Sequence, residues 1–509
     1  MGAGHNGLVA ACYLARAGLR VEVVERDTVL GGAVSTVERW PGVRVDRGSS
    51  AHVIIRHSGI VEELELGAHG LRYVDCDPWG LAPAPDGETE PLVFSVDLDT
   101  TCASIAAACG DEDARAYRAF VAEWGPRSRA VVASFAGPPT AGRLIRAFWP
   151  LGRRHRTSGG ELAVDFLGSG DALLDRWFGS ERLKAALAWF AAQSGPPTSE
   201  PATAAMVGWV ALLHDVPPGH PVGGSGGLTA ALERRLGADG GRVVLGDPAQ
   251  EITTDAGRVT GVRTASGRVV TAPVVVSACH VLATRALVQD APPGLSGGSP
   301  PIGNGFGLVL RCLTDAPPSY PGVPVEATGG LQLLCTDRSV LAAAHGDFAA
   351  GRLPREPVPL AMCFSTTDPS LAPEGRHVVT VWGQWYPYEL ADGRGWDDVA
   401  ESAATDLVQA VERYAPGFAA SIREMHVQTP VELERELALP RGNVMHVEMS
   451  LASMFSLRPT PALAGQRVPG LRGLYLAGAS THPGGGVSGN SGRTAARLAL
   501  ADRRRRWGR

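Results

Sequence analysis

The chain has 509 residues, of which 44% are hydrophobic and 19% charged, with a formal net charge of −5. At ~100–200 residues per domain it holds two to four domains with sizeable cores; its 64 glycines and 38 prolines show no period, which excludes collagen-like and low-complexity classes. The acidic balance argues against a nucleic-acid partner recruited by overall charge. None of the eight cysteines stands in a CxxC pair or a metal-like cluster, and no signal peptide precedes the first motif, which predicts reduced, mostly buried thiols in a cytoplasmic protein. No apolar run reaches the ~18–20 residues that span a bilayer. The nearest, 201–213, predicts a buried helix.

In chain order, residues 2–7 predict a turn, 8–17 an alanine-rich helix ended by Gly18, and 19–24 a strand closed by Glu25. Residues 80–215 predict a largely helical region carrying Trp124, Trp149, Trp177, Trp189 and Trp209. Within it the stretch from Arg143 to Arg156 mixes bulky apolar and basic residues; it reads as a membrane-surface segment or as a solvated helix edge. Residues 220–279 predict a second α/β stretch. Gly223-Gly-Ser-Gly-Gly227 precedes a helix (228–236), followed by a strand (242–245), a hairpin-like pair (257–263 and 267–271) and an apolar strand (274–276). Residues 290–440 alternate β-like runs, 306–313 and 377–385, with a helix near 399–414. A last α/β piece covers 471–501, before a basic tail from Arg503 to Arg506.

Three motifs carry chemistry. In Gly2-x-Gly4-x-x-Gly7, Gly2 makes the tight turn, Gly4 lets a pyrophosphate approach the backbone, and Gly7 lets helix and sheet pack closely. The helix N-terminus then offers N–H groups and a positive dipole end to phosphate. Glu25, with Arg26 beside it, stands where a carboxylate accepts ribose hydroxyls. The second motif is Leu30-Gly31-Gly32. Alone it is an ordinary turn; its spacing from Glu25 makes it informative, and the resemblance set out below implies that it lets the chain pass close to a cofactor. The third runs from the apolar strand at Leu474 through Gly478, Ala479, His482, Val487, Ser488 and Gly489 to Arg493, ahead of an alanine-rich helix. A helix N-terminus there favours the negative edge of a reduced flavin. The architecture expected is α/β, with a Rossmann-like domain built from residues 1–80, 215–290 and 440–509 and an inserted α+β substrate domain from 81–214 and 291–439.

With these motifs, and with Val61-Glu-Glu-Leu-Glu-Leu66, Cys76-Asp-Pro78, Pro85-Asp-Gly87, Gly223-Gly-Ser-Gly226, His446-Val-Glu-Met-Ser-Leu451 and Arg458-Pro459, the chain resembles the phytoene-desaturase superfamily of FAD enzymes. Within it the chain is similar to the β-carotene-ketolase branch and to the pyridine-nucleotide-disulfide-oxidoreductase-domain proteins. The resemblance implies an FAD domain of the p-hydroxybenzoate-hydroxylase and amine-oxidase type. It places Gly2, Gly4, Gly7, Glu25, Arg26, Gly31, Gly32 and the backbone of Ala249 at the nucleotide, and Gly478, Ala479, Val487 and Ser488 at the flavin. It implies a long apolar substrate, dehydrogenated or oxygenated, to which a Trp- and Leu-rich insertion would offer a tunnel.

Desaturation needs a proton acceptor. His482, beside the flavin loop, is the first candidate, and His52, Arg56 and His57 follow; a turn-capping role is the alternative for each. His446 and Glu448 alternate with Val447 on an apparent strand. Isolated histidines make no metal site, and Cys102 and Cys109, seven apart on a helix, lack the pattern of a flavin-linked dithiol. Gly223–Gly227 lacks a closing acid and reads as a helix-entry loop, so the electron acceptor is oxygen, a quinone or a transient NAD(P). An amine oxidase of the same fold and a regulatory flavoprotein are the rival readings. Met1 directly precedes Gly2, so the strand that leads into this turn is absent from the sequence. The expectation is a start upstream or weak FAD binding, to be refuted if an N-terminally extended chain binds FAD no better.

Overall fold

The computed structural model describes all residues except 86, 88, 155–157, 508 and 509. Asp86 of the 85–87 match, His155 and Arg156 of the basic stretch, and the side chains of Arg153, Arg154 and 505–507 lie outside the described residues.

The first layer is a parallel arrangement built from distant pieces. Strand Glu22–Val24 pairs with Arg242–Val244, and Val275–Ser277 pairs with Leu474–Leu476. Between the two pairs, Met1 and Gly2 bridge. The Met1 ammonium donates to Val276 O (2.9 Å), Met1 O accepts from Ala278 N–H (2.9 Å), and Gly2 N–H donates to Val24 O (2.9 Å). Met1 and Gly2 thus satisfy Val24 O, Val276 O and Ala278 N–H, three of the groups that a central strand would pair with. Helix His5–Arg16 lies against helices Gly226–Ala238 and Asn490–Trp507. Nine of its twelve residues are buried, because its face of Leu8, Val9, Ala11, Cys12 and Ala15 is apolar at helical spacing. Next to this layer stands a three-stranded antiparallel sheet of Ala249–Asp255, Arg258–Thr264 and Val269–Thr271.

The second body centres on a seven-stranded sheet. Its order is Ile422–Gln428, Gly305–Thr314, His377–Pro387, Pro359–Met362, Leu331–Leu333, Gly80–Ala82 and Leu92–Phe94. All its pairings are antiparallel except Leu331–Leu333 with Gly80–Ala82. Helix Trp396–Glu412 covers it, and a helical lobe from Leu98–Cys109 to Ala204–Gly208 packs beside it. Two short strands at its edge fall where the sequence predicted mostly helix. At three residues each they are too short for a period-2 pattern to register.

Trp79, Trp124 and Trp189 are fully buried and pack with Phe94, Tyr117, Phe120 and Phe178 in one cluster. These tryptophans fill a core. The described stretch 201–213 is a buried pair of short helical turns, as its alanine content predicts. Around His446 the predicted strand is absent. His446 has φ 67°, and residues 445–450 form turns that enter the short helical turn Leu451–Ser453.

Candidate functional site

The turn at residues 2–7 uses its glycines as their positions demand. Gly2 has φ 85°, a left-handed conformation that favours glycine. A Cβ on Gly7 would overlap the Gly2 carbonyl oxygen and press within 3.0 Å of Ala278 Cβ, so strand and helix meet only because no side chain intervenes. Gly4, by contrast, faces open space: a Cβ there would meet nothing closer than Gly31 O at 3.9 Å. It is the N-cap of helix His5–Arg16, whose first amides have no side-chain cap. Gly31 N–H donates to Ala3 O (3.1 Å), and a Cβ on Gly32 would sit 3.6 Å from Gly4 Cα. The Gly31–Gly32 pair therefore lies directly against the first turn.

Glu25 closes its strand and is buried. Its Oε2 accepts from Ala3 N–H (2.6 Å) and its Oε1 from Asp27 N–H (2.9 Å), which fixes the carboxylate beside the glycine turn. Arg26 points elsewhere; it is exposed and donates to Glu436 O (3.2 Å). Ala249 is half-buried at the head of its strand and packs in the cluster that holds Val24 and Met1.

The C-terminal loop meets the first turn through the segment that follows Ser277. A Cβ on Gly478 would clash with Ala278 and Cys279, and one on Gly2 would lie in contact with the same two residues. Ala479 is buried, and its carbonyl accepts from Arg458 (3.0 Å). Val487 has φ 55° and packs with Leu8, Ile55 and Ile60; Ser488 Oγ accepts from Asn490 N–H (3.2 Å) at the start of the last helix. A Cβ on Gly492 would overlap Asn6 O, so the last helix seats directly on the first. The structure thus brings together 2–7, 25, 31–32, 478–479 and 487–492. Arg26 and Ala249 stand at the margin.

The sequence reading gave no structural role to two arginines. Arg458 is fully buried, and its guanidinium donates to five carbonyls: Val447, Glu448, Ser453, Met445 and Ala479. Burial without a carboxylate pushes its pKa down to about 9. Arg311 is similarly buried, donating to Gly48 O, Ser50 Oγ, Thr380 Oγ1 and Gln428 Oε1, and so ties the seven-stranded sheet to residues 48–50. No sequence signal separates such an arginine from a surface one; only the tertiary environment does.

His482 is buried between the rings of Phe135 (5.6 Å) and Phe455 (5.7 Å), and Phe135 in turn meets Trp209 (5.9 Å). Its Nε2 faces Ser134 O at 3.5 Å and its Nδ1 has no partner. Burial, against that weak bond, pushes its pKa down to about 4. The other histidine and arginine candidates are engaged. His52 Nδ1 meets Tyr73 OH and Nε2 meets Ser225 Oγ, each at 2.8 Å, leaving no lone pair for a substrate. Arg56 binds Pro217 O and Asp75, and His57 Nε2 binds Val216 O. In the Gly223–Gly227 loop, amides are likewise occupied: Gly223 by Asp368, Ser225 by Asp46 and Gly226 by Thr36. This is a helix-entry loop with little left to offer a second nucleotide. All eight cysteines are free, and among the described residues no cluster suits a metal ion.

Buried neutral histidines make the fold acid-sensitive. Burial and the nearby His220, His5 and Arg56 push His52 down to about 3. In the unfolded chain both His52 and His482 protonate near pH 6.5; in the folded chain they resist until about pH 3–4. Their contribution is complete above pH 6.5 and falls as the pH drops toward 4, by on the order of 3 kcal/mol each. Urea midpoints taken between pH 7.5 and 4.5 should fall steadily; a flat profile would refute this.

The geometry suits a dinucleotide. Gly4 faces open space, the helix amides are uncapped, and His5 Nε2, Asn6 Oδ1 and Asn490 Nδ2 are buried around the turn without partners. The comparisons agree. The NAD(P)-binding Rossmann-like domain family matches residues 1–64. Pyridine nucleotide-disulfide oxidoreductase domain-containing protein 2 of Rattus norvegicus is 33% identical, covering 99% of this chain and 93% of its own. Hydroxyneurosporene desaturase of Rhodobacter capsulatus is 29% identical over 99% of this chain and 97% of its own. Among solved structures, putrescine oxidase bound to putrescine superposes with a TM-score of 0.60 at 14% identity, covering 99% and 98% of the two chains, a likeness of fold. The fold and its glycine turn are those of an FAD-type oxidoreductase with a Rossmann-like domain and an inserted α+β domain. The chain belongs to the phytoene-desaturase-like superfamily of FAD-dependent oxidoreductases and, within it, to the family of pyridine nucleotide-disulfide oxidoreductase domain-containing protein 2.

Proposed function

We propose that the chain binds FAD across residues 2–7, 25, 31–32, 478–479 and 487–488 and dehydrogenates or oxygenates an apolar substrate of polyene, isoprenoid or polyketide type. The observation that carries this reading is the convergence of three chain segments, 2–7, 31–32 and 478–492, on one backbone cradle where Gly4 has no neighbour to block a phosphate. When bound, FAD would supply hydride acceptance from a substrate carbon.

The chain's own residues would do the rest. The amides of His5, Asn6 and Gly7 would hold the pyrophosphate, and Glu25 would turn from Ala3 N–H to ribose hydroxyls. Phe135, Trp209 and Phe455 would form a dry apolar wall beside the flavin loop. His482, neutral within that wall and with a bare Nδ1, would accept the substrate proton. The occupied amides of the Gly223–Gly227 loop favour oxygen or a quinone over NAD(P) as electron acceptor.

Purified protein should show a flavin spectrum and release FAD, and anaerobic mixing with a polyene should bleach it. A colourless protein would overturn the cofactor; bleaching by amines alone would overturn the substrate class. A Glu25→Ala protein should hold FAD about 10–100-fold more weakly, because the charged acceptor for the ribose hydroxyls disappears together with its bond to Ala3 N–H in the glycine turn. Titration of the deflavinated protein followed by flavin fluorescence checks this.

A further inference from the structure

The three most exposed large apolar side chains among the described residues, Ile145, Trp149 and Val164, stand close together in the sequence. Ile145 (62% exposed), Trp149 (61%), Val164 (61%) and Leu167 (53%) all lie within two consecutive helices, Ala141–Arg154 and Gly159–Leu167. Ile145 and Trp149 are one helical turn apart, so they share a face, and Val164 and Leu167 do the same on the second helix. The opposite faces are the packed ones. Leu151 is buried, and Phe148 meets Phe166 ring to ring at 5.2 Å, which fixes the two helices against each other. Beside the exposed apolar residues stand Arg143 and Arg146, both exposed and neither paired with a carboxylate among the described residues. Arg153 and Arg154 follow in the same helix.

In a chain whose net charge is −5, this local excess of arginine beside tryptophan and isoleucine is a deliberate contrast. Large apolar side chains projecting from a helix with arginines at its flank match the boundary of an anionic bilayer: apolar groups enter the acyl edge and guanidinium groups stay at the headgroups. No helix among the described residues is long and apolar enough to cross a membrane, so the contact is with one leaflet. The helix also lies near His482. It begins six residues after Phe135, which with Ser134 touches His482, and the charge of Arg143 reaches that ring.

We infer that helices Ala141–Arg154 and Gly159–Leu167 dock the enzyme on an anionic lipid surface, with Ile145, Trp149, Val164 and Leu167 inserted and Arg143 and Arg146 on the headgroups. Charge complementarity selects this occupant over a second copy of the chain, because two such arginine-bearing faces would repel each other. The inference does not rest on the flavin reading.

The full-length protein should co-sediment with phosphatidylcholine vesicles containing about 30% phosphatidylglycerol, but weakly with phosphatidylcholine alone. Raising NaCl from about 50 to 500 mM should release much of it. Arg143→Glu/Arg146→Glu should weaken binding by roughly fivefold or more per position, and Ile145→Ser/Trp149→Ser by at least about tenfold. Both variants should keep the circular dichroism of the unaltered protein, since these side chains face solvent. In the unaltered protein, anionic vesicles should protect Arg143 and Arg146 from trypsin, a readout that needs no variant. Absent binding, binding that the substitutions leave intact, unprotected arginines, or a dimer that Trp149→Ser dissociates would each overturn the inference.

Discussion

A Gly7→Val protein is expected to emerge from purification without flavin, or not to fold at all. The added Cβ would overlap Gly2 O and crowd Ala278 Cβ, and both partners are part of tightly bonded backbone. Gly2 cannot yield, because its amide is held by Val24 O and the neighbouring Met1 is tied to Val276 and Ala278. Helix His5–Arg16 would therefore have to lift from the sheet, taking with it Leu8, Val9 and Cys12, which are fully buried. Displacing them costs several kcal/mol, on the scale of large core substitutions at about 2–5 kcal/mol each. The measurement is the ratio of flavin to protein absorbance, together with the thermal unfolding midpoint. Gly4→Ala makes the contrast: its Cβ meets nothing nearer than 3.9 Å, so the fold should survive while FAD affinity falls. Equal stability losses in the two variants would refute the assigned roles.

Arg458→Met should cost about 3–5 kcal/mol of stability. The guanidinium gathers the carbonyls of Met445, Val447, Glu448, Ser453 and Ala479, at distances from 2.6 to 3.4 Å. Methionine fills similar volume but leaves those oxygens buried and unbonded, and each carries a desolvation penalty. Arg458→Lys should recover only part of the loss, since an ammonium has three donors and no planar fork. The damage should be local as well as global, because Ala479 belongs to the loop that approaches the proposed flavin. Hydrogen exchange at 445–458 and 478–481, compared with a distant strand such as Gly305–Thr314, measures both. Exchange that rises only in the distant strand would count against the assignment.

The glycine motifs were legible because their physics is local. Gly2, Gly7 and Gly31 need special backbone or close approach, and a turn–helix–strand order with a closing acid says so without tertiary information. The strands at 305–314 and 377–387 were legible as apolar, β-branched and aromatic runs, and they are buried along almost their whole length. Legibility failed where meaning depends on neighbours far along the chain. His446-Val-Glu448 alternates like a strand, yet Arg458 captures its carbonyls and bends it into turns. His52 looked like a candidate base until Tyr73 and Ser225, 21 and 173 residues away, were seen to occupy both nitrogens. Trp124 and Trp189 belong to a core cluster, and whether an aromatic side chain lines a space or fills one is decided by packing alone.

The parallel layer draws its strands from residues 22–24, 242–244, 275–277 and 474–476, and its last helix from 490–507. On the ribosome, this order has a consequence. Translation must pass residue 492 before Gly492 can seat on Asn6, so the first helix waits through nearly the whole of synthesis with one flank uncovered. At about 5–20 residues per second that interval is on the order of half a minute or more. The seven-stranded sheet, complete by residue 428, can close first. The proposed flavin cradle, which needs residues 478–492, is then the last part of the fold to be completed.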